Sequence, residues 1–226
     1  MSQPRQQHAY GALIRSDVEP FVPLDVTSAL DVGCAGGGFG TQLRRLLGPD
    51  ALVHGIDAVP ESVAEARETG AFDEVFEGYF PDDVPEDARY DLVSFNDVLE
   101  HMVDPWGVLR ATVGHLNPGG RVLATIPNVQ YAPNVQNLLR GHWTYTETGI
   151  LDKTHVRFFT RESIIDLLES SGYAVMTIAP VNSVWGSEWR PRGRRNLVEH
   201  AKRRIFLGFV PDAEWLHFVV IARPRG

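Results

Sequence analysis

The stretch SALDVGCAGGGFG, residues 28–40, places a short apolar run and Asp31 ahead of five glycines in the eight positions from Gly33 to Gly40. Glycine costs more conformational entropy than any other residue, so such a cluster is kept where something must approach the main chain closely. TSALDVG reads as a buried strand ending at Asp31. GTQLRRLLG, just after the loop, carries Leu43, Leu46 and Leu47 at helical spacing. A glycine loop that ends a strand and opens a helix leaves main-chain N–H groups to meet a ligand.

Working outward, the same alternation repeats. ALVHGID is a second strand ending at Asp57. PESVAEARETG is a helix with Pro60 near its start and Gly70 past its end. DEVFEG and YDLVSFND read as the third and fourth strands, WGVLRATVGHL as a helix, and GGRVLATIPN as the fifth strand. TRESIIDLLESSG is a capped helix with Thr160 at the N-cap, Ser163 at N3 and Gly172 at the stop. YAVMTIAPV and LHFVVIARP are late strands. The pattern predicts an α/β fold: one mostly parallel sheet with helices on both faces. Such sheets bind ligands beyond the carboxyl ends of their strands, near the switch point in strand order.

The 226 residues suit a single domain over 1–226, with 1–27 as lead-in, 128–159 as a lid or substrate region and 186–212 as a basic insertion before the last strand. A net charge of -8 argues against nucleic acid as a general partner. Arg190 to Arg204 holds seven Lys/Arg and one Glu, or +6, which leaves -14 for the rest. That segment reads as a solvated amphipathic helix whose Ile205, Phe206 and Leu207 pack down. An anionic acceptor is the next reading and RNA the last. Cys34 is the single cysteine, MSQPRQQHAY has no secretory apolar core, and no stretch reaches membrane-spanning length. A cytoplasmic protein with no membrane partner is expected, and a homodimer is left open.

Two ligands compete for the loop. The dinucleotide fingerprint G-x-G-x-x-G is broken, since its positions hold Gly33, Ala35 and Gly38. The S-adenosylmethionine loop D/E-x-G-x-G-x-G is met by Asp31, Gly33, Ala35 and Gly37, again with alanine in the middle. Asp57 lies 20 residues past Gly37 and could accept both ribose hydroxyls of either ligand. A nicotinamide oxidoreductase would want glycine at position 35 and a Tyr–Lys pair, and the lysines are Lys153 and Lys202 alone. A non-catalytic cofactor-binding protein would be favoured by a degenerate loop, and this one is nearly intact.

LDVGCAGG, HGID, YDLVSFNDVLEH, LNPGGRVLATIPN and RFFTRESIIDLLESSGY, in that order over roughly Ser28 to Val181, resemble the class I S-adenosylmethionine-dependent methyltransferases. Within them the chain is similar to the group that includes ubiquinone-pathway O-methyltransferases and bacterial sugar and natural-product methyltransferases. The resemblance implies a Rossmann-like seven-stranded sheet whose last strand, LHFVVIARP, is antiparallel and inserted beside the sixth. It implies Asp31, Gly33 and Ala35 around the methionine end of the cofactor, with Gly37 in the same loop. Asp57, with Ala58 beside it, would hold the ribose. Gly78 and Tyr79 would flank the adenine, and Asn96 would face the methionine with its main chain.

Methyl transfer is an in-line displacement, and alignment alone supplies much of its rate. A hydroxyl acceptor gains from a base, and histidine suits neutral pH. His155 and His101 are the candidates. An amine acceptor already has its lone pair, which keeps N-methylation of a small amine or amino sugar as the alternative. The long connection from Pro127 to Thr160 carries Tyr131, Trp143, Tyr145, Asp152 and Arg157, read as substrate contacts. Aromatic faces and a carboxylate suit a sugar or a phenolic natural product as the small-molecule acceptor. The resemblance also implies that Asp97, Glu100, His101 and Asp104 could take Mg²⁺, although no metal is favoured.

Overall fold

The computed structural model describes residues 11–184 and 196–225. Seven strands, β1 (Ser28–Val32), β2 (Leu52–Asp57), β3 (Glu74–Glu77), β4 (Tyr90–Asn96), β5 (Leu116–Pro127), β6 (Tyr173–Ser183) and β7 (Trp215–Pro224), form one sheet. Their order is β3-β2-β1-β4-β5-β7-β6. β1 to β5 pair in parallel, and β7 runs antiparallel between β5 and β6. The sheet is therefore the predicted one, last strand included. The strand order reverses between β1 and β4, so the crevice for a ligand opens at the carboxyl ends of those two strands.

Among the described residues there are six α-helices: α1 (Gly38–Leu47), α2 (Pro60–Glu68), α3 (Pro105–Thr112), α4 (Ala132–Leu139), α5 (Arg161–Ser170) and α6 (Asn196–Phe209). On one face Leu30, Val93, Phe95 and Ile126 pack with Leu109 of α3 and with Ile164, Leu167 and Leu168 of α5. On the other, Ala29, Val53, Leu92 and Leu123 pack with Phe39 and Leu43 of α1. This second core includes Val18, Val22 and Val26, so the lead-in before β1 is part of the fold. α5 starts as expected: Thr160 Oγ1 accepts from the Ser163 N–H and Ser163 Oγ from the Thr160 N–H, a complete capping box. α4 has no counterpart in the sequence reading. Pro133 in its first turn and Asn134, whose amide donates to the Val129 carbonyl at 2.6 Å, start it inside the long connection.

The glycine loop now shows what it accommodates. Gly37 has φ +84° and is the N-cap of α1, a conformation that favours glycine. A β-carbon on Gly38 would lie 2.3 Å from the Leu13 carbonyl oxygen, and one on Gly40 would lie 1.9 Å from the Phe72 ring. Part of the close approach is therefore made by the protein itself, by the Ala12–Leu13 strap and by Phe72.

α6 departs from expectation. Its apolar residues do not all pack down: Ile205 is 61% exposed and Phe209 82%, while Phe206 and Leu207 are half-buried. Residues 186–195 of the basic insertion lie outside the described residues. Among those described, no helix is long and apolar enough to cross a membrane.

Candidate functional site

Asp57, at the carboxyl end of β2, organises the crevice. Its Oδ2 accepts the Ala35 N–H and its Oδ1 the Val59 N–H, each at 2.9 Å. Each oxygen keeps a second lone pair for a ligand hydroxyl. Ala35 sits at φ +46°, in the left-handed region that costs a β-carbon about 1 kcal/mol. The hydrogen bond from its N–H to Asp57 holds it there. Gly33 (φ +70°) and Cys34 both donate to the Ile56 carbonyl, which ties the loop to the end of β2. Ala58 follows Asp57 and is half-buried. Burial raises the Cys34 thiol pKa, so it is no nucleophile.

Asp31 lies deeper than the sequence reading placed it. Its side chain is 2% exposed and accepts a 2.7 Å hydrogen bond from Ser94 Oγ. Burial pushes its carboxyl up to about 7 from 3.8. The folded state therefore holds the extra proton between those two values, so stability should fall as pH rises through that window and level off above it. Asp31→Asn should flatten this profile in thermal melts from pH 4 to 8, recovering at most ~4 kcal/mol at the alkaline end.

Asn96 ends β4 beside Asp31. Its amide oxygen and nitrogen are buried and find no hydrogen-bond partner of good geometry among the described residues. α1 has no side-chain cap at its N-terminus. A buried amide beside Asp31, an uncapped helix start and a carboxylate with lone pairs to spare fit an adenosyl compound that carries an amino-acid end. Gly78 donates to the Asp57 carbonyl at 2.9 Å, which sets the rim beyond β3. Tyr79 on that rim is 60% exposed.

The two candidate bases meet. His101 closes a 3-10 turn (Leu99–His101) directly after β4, and His155 comes from the long connection. Val156 and Arg157 both donate backbone N–H bonds to the Glu100 carbonyl, at 2.9 and 3.0 Å, and this clamps the connection onto the turn. The two imidazoles stand edge to face with centroids 4.6 Å apart. Thr154 Oγ1 donates to Asp152 Oδ1 at 2.7 Å and lies 3.0 Å from His101 Nδ1. With its one proton given to Asp152, Thr154 Oγ1 is an acceptor toward the His101 ring, the arrangement that suits the tautomer protonated at Nδ1. Burial, then the neighbouring His155, lowers the His101 pKa, so the ring is neutral at pH 7. His155 Nδ1 donates to the Ile150 carbonyl at 2.9 Å, and its Nε2 faces Glu100 Oε1 at 4.0 Å.

Glu100 is buried, and both its carboxylate oxygens lack a hydrogen-bond partner among the described residues. Burial, then the nearby Asp97, raises its pKa well above the ordinary range, which favours the protonated form. Glu100, His101 and His155 bring one ligand atom each within 4.8 Å of one another. This grouping differs from the Asp97, Glu100, His101 and Asp104 set that the resemblance implies and for which no metal is favoured. Asp104 is the N-cap of α3, accepting from the Gly107 N–H, and Asp97 pairs with Arg15 at 2.7 Å and accepts from Thr125 Oγ1 at 2.9 Å. Two imidazoles and one carboxylate are not the oxygen-rich set of Mg²⁺ and match Zn²⁺ or Fe²⁺ better.

The substrate candidates divide. Trp143 stacks edge to face on Phe158, Tyr145 is exposed, and Tyr131 precedes the first turn of α4. Asp152, 2% exposed, is turned to Thr154 and does not offer its carboxylate to an acceptor. The Arg157 guanidinium donates to the Val103 carbonyl and lies over Trp106, in a groove lined by residues of α3 and α5. Arg15 was not anticipated. It reaches from the lead-in to Asp97 and Asp17, while His217 Nε2 lies 3.9 Å from Asp97 Oδ1. A charged residue in the apolar run ALIRSDV was the one signal for Arg15.

Fold and crevice together define a class I methyltransferase architecture. A methyltransferase domain family matches residues 6–178, and the chain belongs to that family, whose cofactor is S-adenosylmethionine. It is 28% identical over 204 residues to a mitochondrial ubiquinone biosynthesis O-methyltransferase of Bos taurus, covering 81% of this chain and 52% of that one. The chain thus spans about half the length of the curated relatives it matches. A S-adenosylmethionine-dependent methyltransferase from Archaeoglobus fulgidus superposes with a TM-score of 0.64 at 15% identity, covering 91% of this chain and 90% of that one. Magnesium protoporphyrin IX methyltransferase from Synechocystis, solved with bound S-adenosylhomocysteine, gives 0.58 at 14% identity, covering 87% and 74%. These two likenesses concern the fold.

Proposed function

We propose that this protein transfers a methyl group from S-adenosylmethionine to a hydroxyl of a small molecule, a sugar, glycan or phenolic natural product, with His101 as general base. The observation that carries the reading is the Asp152–Thr154–His101 relay at the carboxyl end of β4, which presets the tautomer a base requires. The O-methyltransferase relatives agree with an oxygen acceptor.

When bound, S-adenosylmethionine supplies an electrophilic methyl on a sulfonium. Asp57 would hold its ribose, Gly78 and Tyr79 its adenine rim, and the loop from Gly33 to Gly37 with Asn96 its amino-acid end. His101 Nε2 takes the acceptor proton, and the imidazolium that forms is stabilised through Nδ1–H by Thr154 and, behind it, Asp152. His155 and Glu100 wall the base from water. The exposed and half-buried rings of Tyr131, Trp143 and Tyr145 suit the face of an acceptor ring. Cys34 is a buried free thiol, as a reducing cytoplasm permits.

Calorimetric titration with S-adenosylhomocysteine and with NAD tests the cofactor half. Binding of the first alone is expected, and binding of NAD alone would return the nicotinamide reading. Methyl release over a panel of hydroxyl and amine acceptors tests the rest. Turnover confined to amines, and indifferent to His101→Ala, would establish N-methylation in its place.

A further inference from the structure

An ordinary surface helix buries its apolar stripe and shows its polar face. α6 leaves part of its apolar surface in solvent toward its C-terminal end, although Phe206 and Leu207 are half-buried. Ala201, Ile205, Gly208 and Phe209, at spacings of four, three and one, are all exposed, and the 61% and 82% exposures of Ile205 and Phe209 are the largest apolar areas among them. Residues i, i+4 and i+7 or i+8 share one face of a helix, so these four form a continuous solvent-facing stripe. Arg204, adjacent to it, is exposed as well.

We propose that α6 is an interfacial helix that seats this protein on an anionic lipid surface, with Ile205 and Phe209 entering the boundary between headgroups and acyl chains. Charge selects that occupant. By sequence, residues 190–204, which run into α6, carry +6 and the remainder of the chain -14, so an anionic surface attracts this stretch of the chain and repels the rest. A second copy of the chain would bring two such basic segments together, which opposes an interface through this stripe. At about 21 Å for 14 residues, the helix is too short to span a hydrocarbon core of about 30 Å and suits lying in the interface. The place in the fold gives the contact a consequence. Just after α6, Asp212 holds Arg161 at 2.8 and 3.0 Å, its carbonyl accepts from Asn128, and the Ala213 carbonyl accepts the first N–H of α4. The lipid-seated helix is thereby tied to the root of the long connection over the site.

The test is sedimentation of the full chain with vesicles of phosphatidylcholine containing about a third phosphatidylglycerol, beside vesicles of phosphatidylcholine alone. Binding to the first, weakened by raising salt and much reduced on the second, is expected. Ile205→Glu with Phe209→Glu should lower the partition coefficient at least about tenfold, since each removes a large apolar contact and adds a repelled charge. S-adenosylhomocysteine affinity should be unaltered in the double variant, because neither residue touches the crevice. That titration separates a failure here from a failure of the cofactor reading. The proposal is overturned if anionic vesicles do not bind the chain, or if the double variant binds them equally well. It is also overturned if sedimentation velocity shows wild-type dimers that the double variant loses while vesicles are ignored, the result of a self-association face. Retention by an acidic protein with vesicles ignored would overturn it in favour of a protein partner.

Discussion

Alanine in place of Asp57 is expected to raise the Kd for S-adenosylhomocysteine by about a hundredfold or more. Each Asp57 oxygen already takes one main-chain N–H and has one remaining acceptor position, so the carboxylate can receive two ribose hydroxyls at once. Hydrogen bonds to a charged group contribute about 1.5–3 kcal/mol each, and two of them reach the hundredfold range. The substitution also removes the acceptor that holds Ala35 in its left-handed conformation, so the loop should loosen and the melting temperature fall by a few degrees. Titration calorimetry on the folded variant, with circular dichroism as the fold control, makes the measurement. A Kd within threefold of wild type would place the adenosine somewhere other than the end of β2.

His101→Ala is expected to cut kcat by about a hundredfold or more with cofactor affinity nearly intact. The finer prediction concerns the residues behind it. Thr154→Val removes the acceptor of Nδ1–H, frees the ring to take the wrong tautomer, and should lower kcat by roughly tenfold, whereas Thr154→Ser keeps the hydroxyl and should restore it. The pH profile supplies the sign. His101 acts as a base only when neutral, so the rate should rise with pH through its pKa, which burial and the neighbouring His155 hold below the ordinary 6.5. His155→Ala removes one of those causes and should move the acid limb upward while turnover survives. If His155→Ala abolishes turnover and His101→Ala does not, the roles of the two rings are exchanged.

How much of this was legible beforehand depends on the range of the contact. The strand ends near Asp31, Asp57 and Asn96 could be read from local pattern, because buried apolar runs and the glycine and proline punctuation act over a few positions. The capping box of Thr160 and Ser163 is equally local. The His101–Thr154 bond joins residues 53 apart and the Arg15–Asp97 bond residues 82 apart, and no local period announces either. Asp152 shows the cost: residue type and a mobile-looking setting suggested a carboxylate for a sugar, and the chain folds it inward to orient a histidine. Arg157 is similar, spent on a carbonyl and a tryptophan face.

The amino-acid order determined a mostly parallel sheet and its crevice end, since apolar runs and backbone punctuation are properties of neighbours along the chain, while the antiparallel last strand came from the resemblance of the ordered motifs to class I methyltransferases. Only the tertiary structure decided which histidine is held by a relay, which acidic residues meet it, that the lead-in straps the glycine loop, and which side of α6 meets solvent. Those outcomes follow from packing between segments far apart in sequence, where burial and the pairing of polar groups, rather than local preference, set each side chain's surroundings.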